Sequence, residues 1–502
     1  MVPRLKDSFK CVIFTFRANY QTEQGMSMEK SVIDTDVIVI GAGLLGCFAA
    51  RNLKRYDIDV IVLEKEDDVC RGISKANTGI IYAGYDNRSG SEKQRLCVQA
   101  NGEFDRLCEE LDVPFSRPGS LMVGYGPRAD EVIRRKYNDG LRGGVRGLRL
   151  LSGAEAEELE PSLAKGISSA LFSPSTGTVD PWELCIAAYE NAAENGAAFI
   201  FGSPVTGIRR EDGAFRVDTE SGVYSAKAVI NAAGLSSDTV REMTEEPFIR
   251  LYPAAADYIV LDRAAGASAD HIIFHEGEDG KGLTIVPTVD GNLLVGPTRR
   301  EASAEETEAK DMRTDCGGLK QLEELCREVA PGIDLSLQIR TFGSLRPDPY
   351  YVSVQDGCTV RKDDSIKELQ ILEEEGLISL IGIKTPGLTF SDKLGELVAG
   401  KAAAFAGRTM RNPDFDPRRR GIIRAGDLSA EERSELIKQN SVYGEVVCSC
   451  MDVTKAEVLQ AIERGAYDFE SVKRRTGAGF GRCQGSRCRR RVMDILRESE
   501  QQ

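Results

Sequence analysis

The chain has 502 residues, a formal net charge of -14 and a pI near 5.0. This length predicts roughly two to four domains, the acidic balance argues against nucleic-acid binding, and no apolar run reaches the about 18 residues that span a membrane. Because the sequence shows no export signal, its thirteen cysteines are expected to be reduced, and we predict a cytoplasmic protein that contacts a membrane only through a partner.

Residues 1–30 receive no structural assignment. Their apolar run, Cys11 to Phe14, is short and is not followed by a small-residue cleavage site, so no secretory signal is expected. Met26 and Met28 lie just before the first predicted strand, which is consistent with an N-terminal extension rather than folded protein.

A dinucleotide-binding pattern runs from Asp36 to Glu64. A β-forming run leads into Gly41, Gly43 and Gly46 in G-x-G-x-x-G spacing, and a helical run and a second apolar strand follow. The first glycine permits the turn, the second lets a pyrophosphate approach the backbone and the third lets helix and strand pack closely. The helix N-terminus favours phosphate, and Glu64 stands where a carboxylate binds ribose hydroxyls.

The segments that follow alternate between loops, helices and strands. A loop rich in glycine, serine and asparagine is predicted to lead into a helix from about Ser91 to about Leu111. Further on, three short alternating runs precede the apolar strand Ala228 to Asn231, which closes on Gly234. This β-meander fits either a second dinucleotide contact or an ordinary hairpin insertion.

Residues 249–346 are dominated by strands and predict an antiparallel sheet that forms the wall of a substrate domain. Residues 375–407 then repeat the order of strand, glycine turn and helix. From 411 to 444 the composition shifts to Pro, Arg, Asp and Asn, which predicts a linker, with a capping box at Ser429 and Glu432.

Four cysteines crowd into the last 55 residues with the spacing C-x-C, 32 residues, C-x4-C: Cys448, Cys450, Cys483 and Cys488. Four thiolates bind zinc or a 2Fe-2S cluster, and a one-residue gap is unusual for zinc, so the spacing favours the cluster. Nearby glycines would aim N-H groups at the sulfurs. The surrounding basic residues predict a solvated face, or a positive field that offsets the cluster's charge and docks an acidic electron-transfer partner: Lys473, Arg474, Arg475, Arg482, Arg487, Arg489, Arg490 and Arg491.

Residues 36 to about 405 resemble the D-amino-acid-oxidase-like superfamily of FAD-dependent oxidoreductases. The resemblance is closest to anaerobic glycerol-3-phosphate dehydrogenase large subunits and L-2-hydroxyglutarate dehydrogenases. It rests on VIVIGAGLLG, ANTGIIYAGYD, VINAAGLSSD, GLTIVPTVDGNLLVGPT, GSLRP and IGIKTPGLT. The tail, through KRRTGAGFGRCQGSRC, resembles bacterioferritin-associated-ferredoxin-like 2Fe-2S domains. The two resemblances imply FAD and a 2Fe-2S cluster as cofactors.

The resemblance also implies roles for individual residues. Arg346 would receive an anionic substrate over the flavin, because a guanidinium can donate two hydrogen bonds at once to a carboxylate or phosphate. The four tail cysteines would ligate the irons. The residues implied around the FAD are Gly41, Gly43 and Gly46 at the pyrophosphate, Glu64 at the ribose, Ala233 and Gly234 near the adenosine half, and Asn77, Thr78, Gly79, Gly382, Gly387, Leu388 and Thr389 beside the flavin.

One position departs from the family pattern. The hydroxyacid and glycerophosphate relatives have a histidine in the N-S-G-x-x-H-A-G loop, where this chain has Tyr82. A tyrosine is a poor base near neutral pH. His275, on a neighbouring predicted strand, is the candidate substitute, and an amine substrate, which needs no strong base, becomes a competing possibility.

These elements predict an α/β (α+β) fold: a Rossmann-like FAD-binding domain with an antiparallel-sheet substrate domain, plus a small C-terminal helical iron-sulfur domain. The predicted boundaries are an extension at 1–30, the oxidoreductase at 31–410, the linker at 411–444 and the 2Fe-2S domain at 445–498. Within the oxidoreductase, FAD-binding parts are expected at about 31–95, 150–248 and 340–410, and substrate parts at about 96–149 and 249–339.

The leading functional hypothesis is an FAD-dependent dehydrogenase of the glycerol-3-phosphate dehydrogenase type. Its substrate would be a small anion, with glycerol-3-phosphate first, then a 2-hydroxy acid, then an amino or imino acid. The cluster would pass electrons singly to a protein or subunit acceptor, which favours a dehydrogenase over an oxidase. The competing hypothesis is a non-catalytic electron-transfer or scaffold subunit of a hetero-oligomer.

Overall fold

The computed structural model describes residues 32–277, 280–310, 312–355 and 358–501. The predicted extension at 1–30 lies outside these residues. The described chain forms two compact units, one ending at Pro417 and one beginning at Arg418. None of the described helices combines the length and the apolar character that crossing a membrane requires.

The strands of both units are, in chain order, β1 (Val32–Ile40), β2 (Val60–Leu63), β3 (Ile80–Ile81), β4 (Phe115–Ser116), β5 (Ser120–Gly124), β6 (Arg149–Ser152), β7 (Ser169–Ser173), β8 (Gly177–Val179), β9 (Ala198–Ile200), β10 (Val205–Glu211), β11 (Ala214–Thr219), β12 (Val223–Asn231), β13 (Ile249–Leu251), β14 (Ala254–Leu261), β15 (Ile272–Gly277), β16 (Gly280–Pro287), β17 (Leu293–Val295), β18 (Arg300–Glu301), β19 (Gln338–Arg346), β20 (Pro349–Gln355), β21 (Cys358–Ser365), β22 (Gln370–Glu374), β23 (Leu377–Ile381), β24 (Val446–Cys448) and β25 (Val453–Thr454).

The α-helices are, in the same order, α1 (Leu44–Leu53), α2 (Glu92–Leu111), α3 (Pro127–Arg142), α4 (Gly153–Leu159), α5 (Pro181–Glu194), α6 (Ser237–Arg241), α7 (Ala304–Ala309), α8 (Cys316–Val329), α9 (Ser391–Phe405), α10 (Ala430–Gln439), α11 (Lys455–Glu463), α12 (Phe469–Thr476) and α13 (Arg489–Glu500). The helix predicted from about Ser91 to about Leu111 is confirmed as α2, whose N-cap is Ser91.

A parallel sheet forms the centre of the first unit, with its central strands in the order β9, β2, β1, β12 and β23. Both faces of this sheet are covered by other parts of the protein, so most residues of its central strands are apolar. One face packs against α1, α5 and α9, and the other is covered by side chains of the β10–β12 meander. The predicted three runs of the meander are present, and the third run continues directly into the buried parallel strand as β12.

The first unit also contains a second sheet, which has nine strands. It is antiparallel except where β15 runs parallel to β5, and this pair joins two distant parts of the chain. Helix α8 covers one face of this sheet through Leu322, Cys326 and Val329. The fold class expected from the sequence is confirmed.

The segment assignment differs from the expectation in two places. Strand β7 and nearly all of β6 lie in the predicted FAD-binding part at 150–248, but both belong to the second sheet, where β6 pairs with β7 and β7 pairs with β5. Helix α2, largely in the predicted substrate part at 96–149, packs in the core beneath the parallel sheet through Leu96, Phe104 and Leu107. Strand β5 in turn pairs with β15, and a contact between residues so far apart in sequence leaves no local signal.

The second unit is a small helical domain. Helices α11, α12 and α13 pack around a core that includes Val458, Phe469 and Val492. The capping box at Ser429 and Glu432 is confirmed as the start of α10. Part of the predicted linker is folded, because Leu436 and Tyr443 pack against Ala456.

Most cysteines of the first unit are small core residues, as expected. The thiols of Cys47, Cys97, Cys108, Cys185 and Cys326 are buried, and burial raises the pKa of Cys326 to about 11 and that of Cys108 to about 12. Two described cysteines of this unit, Cys316 and Cys358, are exposed instead.

Arg51 on α1 is fully buried and connects four segments of the first unit. Its guanidinium donates to Asn191 Oδ1 at 3.0 Å and to the Pro417 carbonyl at 3.2 Å. It also pairs with Glu110 at 3.1 Å and with Asp392 at 3.3 Å. Burial lowers the pKa of Arg51, and the two carboxylates oppose this effect. The cation therefore ties α1 to α2, α5, α9 and the end of the unit.

Replacing this cation should destabilise the first unit. In Arg51→Met, Glu110 and Asp392 lose their partner, and breaking a partly buried ion network of this kind costs about 3 to 5 kcal/mol. Urea unfolding followed by the fluorescence of Trp182, the single tryptophan, should show a lower midpoint. The control, Arg327→Met, removes an exposed ion pair on α8 and should shift stability by no more than about 0.5 kcal/mol. Equal midpoints for both variants would contradict the assignment.

Candidate active site

A cavity of about 1350 Å³ is lined by residues of both sheets of the first unit. Ordinary small-molecule pockets have about 300 to 1000 Å³, so this volume suits a dinucleotide together with a substrate. The predicted site residues that line it are Gly41, Gly43, Glu64, Asn77, Thr78, Tyr82, Ala233, Gly234, Arg346, Gly387 and Leu388.

The glycine turn after β1 forms one end of this cavity. Gly41 has φ of +98°, and a Cβ there would lie 2.7 Å from the Ala232 carbonyl oxygen. A Cβ on Gly46 would lie 1.8 Å from the Gly41 carbonyl oxygen, so α1 and the turn are in contact. Gly43 is the N-cap of α1 and supplies no side-chain cap. The backbone at the start of α1 therefore lies at the cavity wall, as a pyrophosphate cradle requires.

Glu64 directly follows β2 and reaches the same turn. Its buried carboxylate accepts hydrogen bonds from the Ala42 N-H at 2.6 Å and the Glu66 N-H at 2.9 Å. Burial raises the pKa of Glu64, and these two hydrogen bonds oppose the shift. Each carboxylate oxygen has a second lone pair, so Glu64 can hold the turn and accept a ribose hydroxyl together.

The ends of β12 and β23 meet the glycine turn because the three strands run parallel in one sheet. Ile40 is opposite Asn231, and the Asn231 side chain donates to Ser379 Oγ at 3.2 Å. Ala233 and Gly234 follow β12 and line the cavity, with Gly234 at φ of +59°. The meander and its closing turn thus contribute to this cavity rather than forming an isolated hairpin insertion.

Four predicted cofactor residues stand behind the wall and do not line the cavity. Gly46 packs against the turn, and Gly79 lies close to the Val179 carbonyl. Gly382 packs against Pro349, and Thr389 accepts a hydrogen bond from the Tyr82 N-H at 3.0 Å. These four residues contact neighbouring protein atoms, and so they position the residues that line the cavity.

Aromatic side chains and Arg346 form the other end of the cavity. Tyr82 stacks on Phe274 with ring centroids 5.9 Å apart, and Tyr258 lines the same region. Arg346 ends β19 and is paired with β14. Burial raises the pKa of Tyr82 to about 12, with Arg346 opposing the shift. Tyr82 is therefore protonated near neutral pH, and its phenol can donate a hydrogen bond.

His275, the candidate substitute for the missing histidine, does not line the cavity. Alternate residues of a strand point to opposite faces, and it is Phe274 on β15 that lines the cavity. His275 lies on the other face, with its ring 5.8 Å from that of Tyr125, and burial lowers its pKa. Nδ1 of the other histidine, His271, lies 2.7 Å from Glu160 Oε1. His271 does not line the cavity.

A group of lysines beside Arg346 was not identified from the sequence. Lys384 forms an ion pair with the buried Asp348, and Lys93 Nζ donates to the Lys367 carbonyl at 2.9 Å. All of these residues line the cavity. Burial, with repulsion from Lys384, Arg346 and Lys367, lowers the pKa of Lys93 to about 8. Lys384 lies in the recognisable segment IGIKTPGLT, whereas no sequence signal marks Lys93 on the first turn of α2.

The four tail cysteines of the second unit meet as two pairs. A hydrogen bond between the Cys448 and Cys488 thiols lowers the pKa of Cys448 and raises that of Cys488. Cys450 and Cys483 interact in the same way, with the pKa of Cys450 raised. Across the described residues, no three Cys, His, Asp or Glu side chains converge on one point suited to a single metal ion. Two pairs of thiolates match the two irons of a 2Fe-2S cluster.

Glycines let the backbone wrap these thiols. A Cβ on Gly481 would lie 2.5 Å from the Cys450 Cβ, and Gly479 and Gly485 have φ of +93° and +85°. Backbone N-H groups of Gly479 and Met451 donate to the Cys448 sulfur, and this helps to lower its pKa. The segment thus supplies both the space and the N-H donors that an iron-sulfur cluster uses.

The basic residues of the tail divide into two groups. Lys473, Arg474 and Arg475 on α12 are buried, so the expectation of a solvated face is wrong for them. Lys473 pairs with Glu470 at 3.6 Å and lies over the Phe480 ring at 4.7 Å. The other basic residues are exposed as expected: Arg482, Arg487, Arg489, Arg490 and Arg491.

Known proteins resemble the chain over nearly its whole length. It is 35% identical over 464 residues to a glycerol 3-phosphate dehydrogenase of Caloramator mitchellensis, covering 92% of this chain and 93% of the relative. It is 27% identical to the anaerobic glycerol-3-phosphate dehydrogenase subunit A1 of Haloferax volcanii, covering 92% of this chain and 82% of that protein. Among solved structures, L-α-glycerophosphate oxidase from Mycoplasma pneumoniae with FAD bound has a similar fold, with a TM-score of 0.69 and 21% identity over 78% of this chain and 99% of that one.

Two family models match the chain, one in each compact unit. The model described as BFD-like [2Fe-2S] binding domain matches residues 446–498. The model described as FAD dependent oxidoreductase matches residues 36–401. The chain therefore belongs to the FAD-dependent oxidoreductase family and carries a BFD-like 2Fe-2S domain at its C-terminal end.

Proposed function

We propose that this FAD-dependent oxidoreductase oxidises glycerol-3-phosphate and passes the electrons through its 2Fe-2S cluster to an acceptor protein or subunit. The observation that carries the proposal is the group of cations at one end of the cavity, where Arg346, Lys93 and Lys384 lie together. Two relatives that match most of the chain are named for glycerol-3-phosphate, and one of them is named as a subunit.

The cations favour a doubly charged substrate. Repulsion from Lys384, Arg346 and Lys367 contributes to lowering the pKa of Lys93, and Asp348 neutralises only part of this charge. A phosphate monoester carries about -1.5 to -2 charges at pH 7 and would relieve more of the repulsion than one carboxylate. A 2-hydroxy acid with two carboxylates ranks second, and an amino acid ranks third because its ammonium group would meet the same cations.

We assign the cofactor contacts to the glycine turn and the loops after the parallel strands. Gly41, Gly43 and Gly46 shape the pyrophosphate cradle, and Glu64 receives the ribose. Bound FAD supplies the two-electron acceptor for substrate oxidation. Ala233 and Gly234 are assigned to the adenosine half, and the flavin border comprises Asn77, Thr78, Gly79, Gly382, Gly387, Leu388 and Thr389. The ligands assigned to the cluster are Cys448, Cys450, Cys483 and Cys488.

Arg346 and Tyr82 are assigned to the substrate. A guanidinium binds two phosphate oxygens at once, which fixes the orientation of the substrate's C-H bond. Tyr82 stays protonated, so its phenol would donate a hydrogen bond to a substrate oxygen. The apolar rings of Phe274 and Tyr258 exclude water from this end of the cavity.

The glycine turn can be tested through cofactor retention. In Gly46→Ala, the new Cβ would lie 1.8 Å from the Gly41 oxygen and push α1 away from the turn, so the purified protein should lose most of its FAD. The flavin-to-protein absorbance ratio measures this loss, and iron content shows whether the second unit is intact. Gly102→Ala on α2 meets nothing within 4 Å and should retain FAD. Full FAD content in Gly46→Ala would refute the assignment.

The substrate can be identified by anaerobic titration of the purified protein. Glycerol-3-phosphate should bleach the flavin absorbance band at lower concentrations than 2-hydroxyglutarate, and an amino acid such as glycine should require the most. Bleaching by the amino acid alone would favour an amino-acid dehydrogenase. Absence of bleaching with all three would favour a non-catalytic subunit. Recovery of glycerol-3-phosphate oxidation in Tyr82→His would then identify Tyr82 as the cause.

The contribution of Lys93 should appear in the pH profile. Lys93 is protonated below its pKa of about 8, so kcat/KM for glycerol-3-phosphate should fall as pH rises through about 8. In Lys93→Gln this fall should be absent, and KM at pH 7 should rise about tenfold because a charge-assisted hydrogen bond is lost. The control, Lys165→Gln, removes an exposed lysine and should keep the wild-type profile. An unchanged alkaline limb in Lys93→Gln would exclude Lys93 from substrate binding.

A further inference from the structure

The two cysteine pairs of the second unit differ in exposure. Cys448 and Cys488 are each 1% exposed and belong to the core around Val472 and Val492. Cys450 and Cys483 are partly exposed. Of the four thiolates that would hold the cluster, two therefore lie in the domain core and two lie near the surface.

The sequence on both sides of Cys483 is rich in basic residues. The segment from Ser471 to Arg491 contains eight basic residues and no acidic residue, in a chain whose net charge is -14. Arg482 precedes Cys483, and the backbone N-H of Arg487 donates to the Cys483 sulfur, which helps to lower the pKa of that thiol. Both arginine side chains belong to exposed residues. The side chains of Arg482 and Arg487 therefore begin close to Cys483, one of the two partly exposed ligands.

We propose that Cys450, Cys483, Arg482 and Arg487 form an exit face, at which an acidic one-electron carrier protein docks and takes electrons from the cluster. The inference rests on the proposed function and adds the docking surface and the charge of the partner. Complementary charge steers association and suppresses partners of the wrong sign. An acidic carrier would be attracted to the exit face even though the chain as a whole is acidic.

The electron count sets the stoichiometry of this docking. Oxidation of one substrate molecule releases two electrons and two protons. Each docking event moves one electron from the reduced cluster to the carrier, which is thereby reduced by one electron. Two carrier molecules therefore dock in succession for each substrate oxidised.

Small oxidants of opposite charge test the exit face without substrate. Whole protein with its FAD and cluster is reduced by dithionite, mixed with ferricyanide or with hexaammineruthenium(III), and frozen at intervals. The EPR signal of the reduced cluster distinguishes it from the flavin. Ferricyanide is an anion and hexaammineruthenium(III) is a cation. The ratio of the ferricyanide rate to the ruthenium rate should therefore be higher at low salt than at high salt.

Charge reversal should exchange these preferences. In the double variant Arg482→Glu and Arg487→Glu, the ferricyanide rate at low salt should fall about tenfold and the hexaammineruthenium rate should rise. Poly-L-glutamate, standing in for an acidic protein surface, should slow ferricyanide in the wild type and have little effect in this variant. Iron content and the visible spectrum establish that the cluster is present.

A matched control separates the exit face from net charge. Arg497→Glu with Lys438→Glu makes the same change in charge on exposed residues elsewhere in the unit and should leave both rates near the wild type. If charge reversal costs the cluster, Arg482→Gln with Arg487→Gln should give about half the logarithmic effect. Equal effects in the exit-face and control variants, or no effect in either, would overturn the proposal. Because dithionite supplies the electrons, this result does not depend on whether glycerol-3-phosphate reduces the flavin.

Discussion

The contact between Gly46 and the Gly41 carbonyl is the constraint on which the glycine-turn end of the cavity depends. It holds α1 against the turn after β1, so that the start of α1 lies at the cavity wall. Parallel pairing then brings the ends of β2, β12 and β23 to the same edge. Glu64 links the end of β2 to the turn after β1, because its carboxylate accepts a hydrogen bond from the Ala42 N-H. Larger side chains at either glycine would separate parts that must meet around one ligand.

Charge is arranged differently in the two units. In the first unit, cations that repel one another line one end of a cavity with aromatic walls. In the second unit, exposed arginines flank Cys483, a member of the more accessible thiol pair. The first arrangement suits a small anion enclosed by the protein, and the second suits a larger acidic surface that stays in solvent. An acidic chain thus places positive charge where electrons are proposed to enter and to leave.

Local sequence signals predicted much of the cofactor end and of the tail. The spacing of Gly41, Gly43 and Gly46 fixes a turn within a few residues, and Ser91 and Ser429 cap α2 and α10 through contacts three residues away. The paired cysteines were recognisable because their spacing is unusual for zinc. Each of these features depends on neighbours in sequence, which is why reading the chain alone could find them.

Features that depend on distant pairing were not predictable in the same way. His275 and Phe274 differ by one position, and only the register of β15 decides which of them faces the cavity. Lys93 and Lys384 meet because a helix start and a strand end converge across nearly three hundred residues. The burial of Lys473, Arg474 and Arg475 likewise follows from packing, since their composition alone resembles a solvated run.

The buried cysteines of the first unit have a chemical consequence for a protein that cycles electrons. The sulfur of Cys47 lies 3.5 Å from the Ala42 carbonyl, beside the glycine turn, and burial raises the pKa of Cys185 next to it. Thiols react with peroxides as thiolates, so the raised pKa keeps the Cys185 thiol inert towards peroxide formed when electrons leak to oxygen. Among the described residues of this unit, oxidative damage would fall first on Cys316 and Cys358, which are exposed at the surface.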